Sequence, residues 1–227
     1  MKFNIFFILL LNLKVLVNGF NLCVVGANSG LGRELIYQKL EQNEKVLALT
    51  NSSRQLRIPY RGGGMNNRKN NLFISSENLK IDCYENFNNY NFENIVFTLG
   101  AKPFETDYSD LITENILNNI EHNIKSITLV SADGVGDSLN DNNLGIKVMN
   151  NWYLKDVYRA KNRQEEIVEE YAKKNNIKTF IMRPKALSYG INMYAARSRE
   201  TYAREILDNL NAWTIYFVKI NISFPQS

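Results

Sequence analysis

The chain is predicted to fold as a single α/β domain, a doubly wound parallel sheet with helices on both faces and a small C-terminal capping region. Three observations predict it. Residues 21–50 read as strand, glycine-rich turn, helix and second strand. Apolar strand-length runs then alternate with amphipathic helical stretches, the pattern of a parallel sheet covered on both faces. A length of 227 residues suffices for one such core but hardly for two. Sheets of this kind bind their ligands at the carboxyl ends of the strands.

Taken in order, the first strand, Leu22–Val25, runs straight into Gly26, Gly30 and Gly32, a GxxxGxG spacing. Lacking a β-carbon, such glycines take positive φ, let a pyrophosphate lie against the backbone, or let helix and strand pack closely. The helix Leu31–Leu40 has apolar positions at Leu31, Leu35, Ile36 and Leu40. Its first N–H groups and the positive end of its dipole would face the phosphates. With a second strand at Lys45–Leu49, the triplet has the context that a dinucleotide site needs.

The segment RIPYRGGGMNNRKNN is aperiodic and reads as a surface loop; Arg54 to Lys69 is basic, with Arg57, Arg61 and Arg68 and no acidic residue. A short strand, Leu72–Ile74, and a third strand, Leu79–Cys83, follow, with Asp82 placed to meet the edge of an adenine. Asn94–Leu99 is the next strand, and Tyr108–His122 a helix with a core-facing stripe at Leu111, Ile112, Ile116, Leu117 and Ile120. Strand Ser126–Val130, a long helix from Asn151 to Lys174 and strand Lys178–Met182 complete the alternation. Residues 20–212 thus form the nucleotide-binding domain, and 213–227 a last strand or tail, because Thr214–Ile222 alternates.

Residues 1–19 carry one early lysine, an apolar stretch from Ile5 to Val17 and permissive residues near a cleavage after Gly19, which reads as a signal peptide. Entry to the secretory pathway, or to an organelle such as a plastid reached through it, is the expectation. The alternative is a membrane anchor formed by residues 4–18, but Lys14 leaves the run short of the roughly 20 residues that span a bilayer. No permanent span is expected once the leader is removed. Without Lys2 and Lys14 the chain has 25 basic and 23 acidic residues, a balance of +2 that does not suggest a nucleic-acid binder. Cys23 and Cys83 fall on the first and third strands. With the second strand between them they stand roughly 9–10 Å apart, too far for a disulfide. Asn51-Ser-Ser and Asn221-Ile-Ser are glycosylation sequons, and a glycan at Asn51 would crowd the ribose of a bound nucleotide. One histidine and no cysteine cluster argue against a metal site, and His122 is expected to be structural, with its charged form favoured at a helix C-terminus.

The turn GANSGLG, the TLGA and SADGVG segments after the fourth and fifth strands, the helix YRAKNRQEEIVEE, the MRP after the sixth strand and SRETYAREIL resemble one family together. The chain is similar to the short-chain dehydrogenase/reductase superfamily, in particular its atypical NAD(P)-binding, NmrA-like branch, which includes flavin and biliverdin reductases. The resemblance implies a Rossmann fold in which Gly26, Asn28, Ser29, Gly30, Leu31 and Gly32 cradle the pyrophosphate. It also implies that Asp82 lies near adenine and that Leu99, Gly100 and Ala101 pass beside the adenosine ribose.

Cofactor choice rests on the end of the second strand. NAD enzymes usually place a carboxylate there for the ribose 2′-hydroxyl, whereas arginine accommodates the 2′-phosphate of NADP. This chain has Thr50-Asn-Ser-Ser-Arg54 and no carboxylate, so NADP(H) is expected over NAD(H), with Ser52, Ser53 and Arg54 as phosphate partners.

Many dehydrogenases of the superfamily pair a serine after the fifth strand with Tyr-x-x-x-Lys, in which tyrosine passes the proton and lysine holds the ribose. Ser131 is placed for the first role. Tyr158 and Lys161 are three apart rather than four, with asparagine at 162, yet an i,i+3 pair still shares a helix face. Two function classes follow. One is a reductase passing hydride to a small acceptor such as a flavin, quinone or carbonyl, seated over the loop with Tyr189, Met193 and Tyr194. The other is a non-catalytic NADP-binding assembly factor or redox sensor whose partner is a protein complex.

Overall fold

The structure, a computed structural model of the chain, describes residues 19–51, 56–59, 72–101, 105–136, 154–184, 187–188 and 197–221. Six strands are all parallel: β1 (Phe20–Val25), β2 (Val46–Thr50), β3 (Leu79–Cys83), β4 (Phe92–Phe97), β5 (Ser126–Val130) and β6 (Lys178–Met182). Their order across the sheet is β3-β2-β1-β4-β5-β6. The chain reverses direction of winding between β1 and β4, which opens a crevice at the carboxyl ends of those two strands.

Successive side chains of a strand face opposite sides, so each central strand feeds two cores. Leu22 and Val24 of β1 join Val46, Ala48 and Val96 under α1 (Gly30–Glu41) and the last helix, α4 (Arg199–Asn221). Cys23 and Val25 join Leu47, Leu49, Ile95 and Phe97 on the other face. That face is covered by α2 (Ser109–Asn119) and α3 (Lys155–Asn175), through Ile116, Leu117, Ile167 and Val168. Because both faces are covered, the central strands are nearly continuous apolar runs. Each fully buried leucine or isoleucine among them stabilises the fold by about 1.5–3 kcal/mol.

Helix ends follow local chemistry. Ser29 caps α1, and α3 stops at Asn176, whose φ of 52° is the left-handed conformation that asparagine tolerates at a C-cap. Both cysteines are free, on strands that β2 separates, and burial pushes the Cys23 thiol well above its ordinary range.

Several expectations are corrected. The segment beginning at Thr214 is not a strand: α4 continues as helix to Asn221, and 222–227 lie outside the described residues. Its start is fixed by Ser198, whose hydroxyl accepts the Thr201 N–H at 3.1 Å, and a helix once nucleated propagates over an alternating stretch. Leu72 makes a single antiparallel bridge with Arg57 rather than a strand, and Ile74 is exposed. His122 lies beyond the end of α2, its ring edge-on to Phe92, and its Nε2 accepts the Phe92 N–H at 3.3 Å. Burial pushes its pKa below the usual histidine value, so the neutral form is favoured, contrary to the helix-terminus argument. The residues 1–18 of the expected leader lie outside the described residues. Among those described, no helix is long and apolar enough to cross a membrane.

Candidate functional site

The turn between β1 and α1 is built around two glycines. Gly26 has φ +87°, and a β-carbon there would sit 2.9 Å from the carbonyl carbon of Thr98. At Gly32 a β-carbon would stand 2.6 Å from the Gly26 carbonyl oxygen and 2.9 Å from both Ser29 Oγ and Thr98 Oγ1. The first glycine lets the chain turn against β4, and the second lets α1 start directly behind the turn.

A hydrogen-bond relay locks this geometry. Ser29 Oγ accepts the Gly32 N–H at 2.8 Å and donates to Thr98 Oγ1 at 3.0 Å. The Thr98 hydroxyl in turn donates to the carbonyls of Val25 and Gly26, at 3.1 and 3.0 Å. Ser29 therefore fixes the glycine turn by capping the helix. Thr98, just ahead of the Leu99-Gly100-Ala101 segment, was not singled out in the sequence; a hydroxyl at the last position before that segment was its signal.

This turn forms one wall of a cleft of about 910 Å³ at the carboxyl ends of the strands. Gly26, Asn28, Ser29, Gly30 and Leu31 line it from one side and Leu99, Gly100 and Ala101 from the other. Gly32 works behind the wall rather than in it. Arg33 also lines the cleft, its Nε donating to the Ser29 carbonyl at 3.3 Å, as does Asn51, which accepts from Asn28 Nδ2 at 3.3 Å. Asp107, Ser109 and Arg199 are among the lining residues that sequence reasoning passed over. The glycines let the turn pack tightly on β4 and α1 begin directly behind it, so that the α1 N-terminus opens on the cleft; an N-terminus so placed fits the phosphates of a dinucleotide. Ser52, Ser53 and Arg54, and likewise Tyr189, Met193 and Tyr194, lie outside the described residues.

Asp82 is held by hydrogen bonds within the protein. One carboxylate oxygen accepts from the Cys83 N–H at 2.8 Å and Asn86 Nδ2 at 2.7 Å, the other from the Tyr90 hydroxyl at 2.6 Å. Burial, which would raise its pKa, is outweighed by these bonds and the Lys80 charge, and the carboxyl titrates below its usual range. Burial and the bond to Asp82 push the Tyr90 hydroxyl up to about 12. Asp82 thus ties β3 to the turn that follows it, and it is not among the described residues lining the cleft.

Of the three residues expected to act in catalysis, Tyr158 and Lys161 are engaged by the protein itself. Lys161 is buried, and its ammonium donates to the carbonyls of Leu99 at 2.6 Å and Val130 at 3.0 Å and to Gln164 Oε1 at 3.0 Å. Three protons meet three acceptors, leaving none for a ribose. Gln164 passes the connection on, its Nε2 donating to Thr113 Oγ1 at 2.7 Å, so the ends of β4 and β5 are stitched to α2 and α3. Burial lowers the Lys161 pKa to about 8, against the opposing charges of Asp107 and Glu165.

Tyr158 donates its hydroxyl to the Asp133 carbonyl at 2.8 Å; burial, then the Asp133 charge, raise its pKa, the reverse of what a ready proton donor needs. Ser131 Oγ is buried without a partner, and its N–H is held by the Met182 carbonyl at 2.8 Å. Asn162, where the superfamily pattern has lysine, accepts the Gly136 N–H at 2.9 Å. It thereby clamps the loop after β5. The same loop is held by the Arg183–Glu165 pair, bidentate at 3.0 and 2.7 Å, which packs where Gly136 leaves room.

Among the described residues no group of three or more His, Cys, Asp or Glu side chains is arranged to hold a metal ion. No family model and no curated protein matches the chain in sequence. Solved structures do match it in shape. The anaerobillin reductase ChuY from Escherichia coli O157:H7 is 14% identical with a TM-score of 0.58, over 85% of this chain and 91% of that one. The oxidoreductase ylbE from Lactococcus lactis is 15% identical with a TM-score of 0.58, over 84% of each. UDP-N-acetylglucosamine 4-epimerase from Bacillus cereus is 14% identical with a TM-score of 0.56, over 86% and 75%. The chain shares with these structures a Rossmann-like α/β fold, a parallel six-stranded sheet with helices on both faces.

Proposed function

We propose that the protein is an NADP-dependent reductase that passes hydride to a small acceptor such as a flavin, quinone or carbonyl. The glycine cradle opening onto the α1 N-terminus carries this reading, and two of the similar folds belong to redox proteins. Preference for NADP rests on the absence of a carboxylate after Thr50 and on Arg54 four residues later. The bound nicotinamide supplies the hydride. The chain's residues bind the phosphates and set the walls against which the acceptor lies, so rate enhancement comes from orientation. With Tyr158 and Lys161 both engaged inside the protein, the proton that completes reduction of a quinone or carbonyl comes from solvent water rather than from them.

That engagement also favours a second reading, a non-catalytic NADP-binding assembly factor or redox sensor. Oxidation of NADPH by the full chain with flavin, quinone and carbonyl acceptors separates the two. The reductase reading expects turnover with at least one acceptor, faster with NADPH than NADH, and a smaller difference in Arg54→Ala. Tight binding without turnover supports the second. The leader is proposed to direct the chain into the secretory pathway, and mass analysis of the mature protein for a start at Phe20 tests it.

A further inference from the structure

Among the described residues four buried side-chain polar atoms have no hydrogen-bond partner, and two of them stand together in the cleft wall: Asp107 Oδ2 and Ser109 Oγ. Buried polar groups are nearly always satisfied, so an adjacent orphaned pair in a ligand cleft asks for a donor from outside the chain. Ser109 is 2% exposed. The Asp107 carboxylate is not free to turn, because its Oδ1 accepts the Ser109 N–H at 2.9 Å as α2 begins. The opposite charge of Lys161 lies near enough for the two groups to attract each other. Leu99, which lines the same cleft, gives its carbonyl to that same lysine.

We infer that Asp107 and Ser109 form the anchor for the sugar hydroxyls at the redox end of the dinucleotide, in place of the tyrosine and lysine that the protein has turned inward. This rests on the dinucleotide reading of the cleft. A ribose offers neighbouring hydroxyls, each both donor and acceptor: one donates to Asp107 Oδ2, and its neighbour pairs with Ser109 Oγ. A hydroxyl bonded to a carboxylate makes a charge-assisted contact, stronger than a neutral one. The pair would then position the nicotinamide without taking part in proton transfer.

The test uses the full chain, Asp107→Asn and Ser109→Ala, titrated with NADPH and with adenosine 2′,5′-bisphosphate, which lacks the nicotinamide ribose. The expected result is an NADPH Kd about tenfold weaker in Asp107→Asn and about threefold weaker in Ser109→Ala, with bisphosphate affinity unchanged in both. Ser109→Ala removes an oxygen that bonds to nothing, so its melting temperature without cofactor is expected to equal or exceed that of the wild type. NADPH affinity unchanged in both variants, or weakened equally for the two ligands, overturns the inference while leaving the dinucleotide site standing. Failure of the wild type to bind either ligand overturns the site itself.

Discussion

Lys161 holds its ammonium out of water on three protein acceptors, and its pKa of about 8 lies below the ordinary 10.5. In the window between those values the unfolded chain keeps the proton that the folded chain has lost. Stability therefore rises with pH across it. Urea unfolding of wild type and Lys161→Met, with the difference taken at each pH, isolates this contribution. The expected gain in wild type relative to the variant between about pH 8 and pH 10.5 is on the order of 1–3 kcal/mol. A flat or falling difference contradicts the assignment. The glycine turn was legible because steric demands show in residue type. The task of Lys161 was not, because its partners include main-chain carbonyls at strand ends, which no sequence pattern displays. For the same reason i,i+3 spacing put Tyr158 and Lys161 on one helix face without showing that each bonds elsewhere.

At the scale of elements, the relay Ser29–Thr98–Gly26 sets where α1 starts relative to β4. Thr98→Val keeps the shape and removes the relay, so a weaker NADPH Kd, by about five- to tenfold, is expected, with Thr98→Ser close to wild type. Equal affinities in both variants and wild type would show that the glycines alone hold the cradle. Element identity was largely legible: β3, β5 and β6 coincide with the predicted strands, β5 because a buried parallel strand reads as a short apolar run, the half-buried edge strands β3 and β6 by their place in the alternation of strands and helices. The C-terminal segment misled because alternation over nine residues does not distinguish a strand from the continuation of a helix capped far upstream at Ser198. Helix limits were less legible where a cap is made by a distant side chain or by none.

Across the whole molecule, two cores hold a parallel sheet whose change of winding direction opens the cleft, and the glycine turn aims α1 into it. Gly26, Ser29 and Thr98 of the turn and relay, and Asp107 and Ser109 with their orphaned oxygens, all line this one cleft. A direct test is a titration of the full chain with NADPH and NADH followed by nicotinamide fluorescence, with Gly32→Ala alongside. The added methyl must displace the Gly26 carbonyl, which lies 2.6 Å from its ideal position. Saturable NADPH binding, tighter than that of NADH and lost in a Gly32→Ala variant that still folds by circular dichroism, is the expected result. No binding of either nucleotide, or undiminished binding by the folded variant, would contradict it.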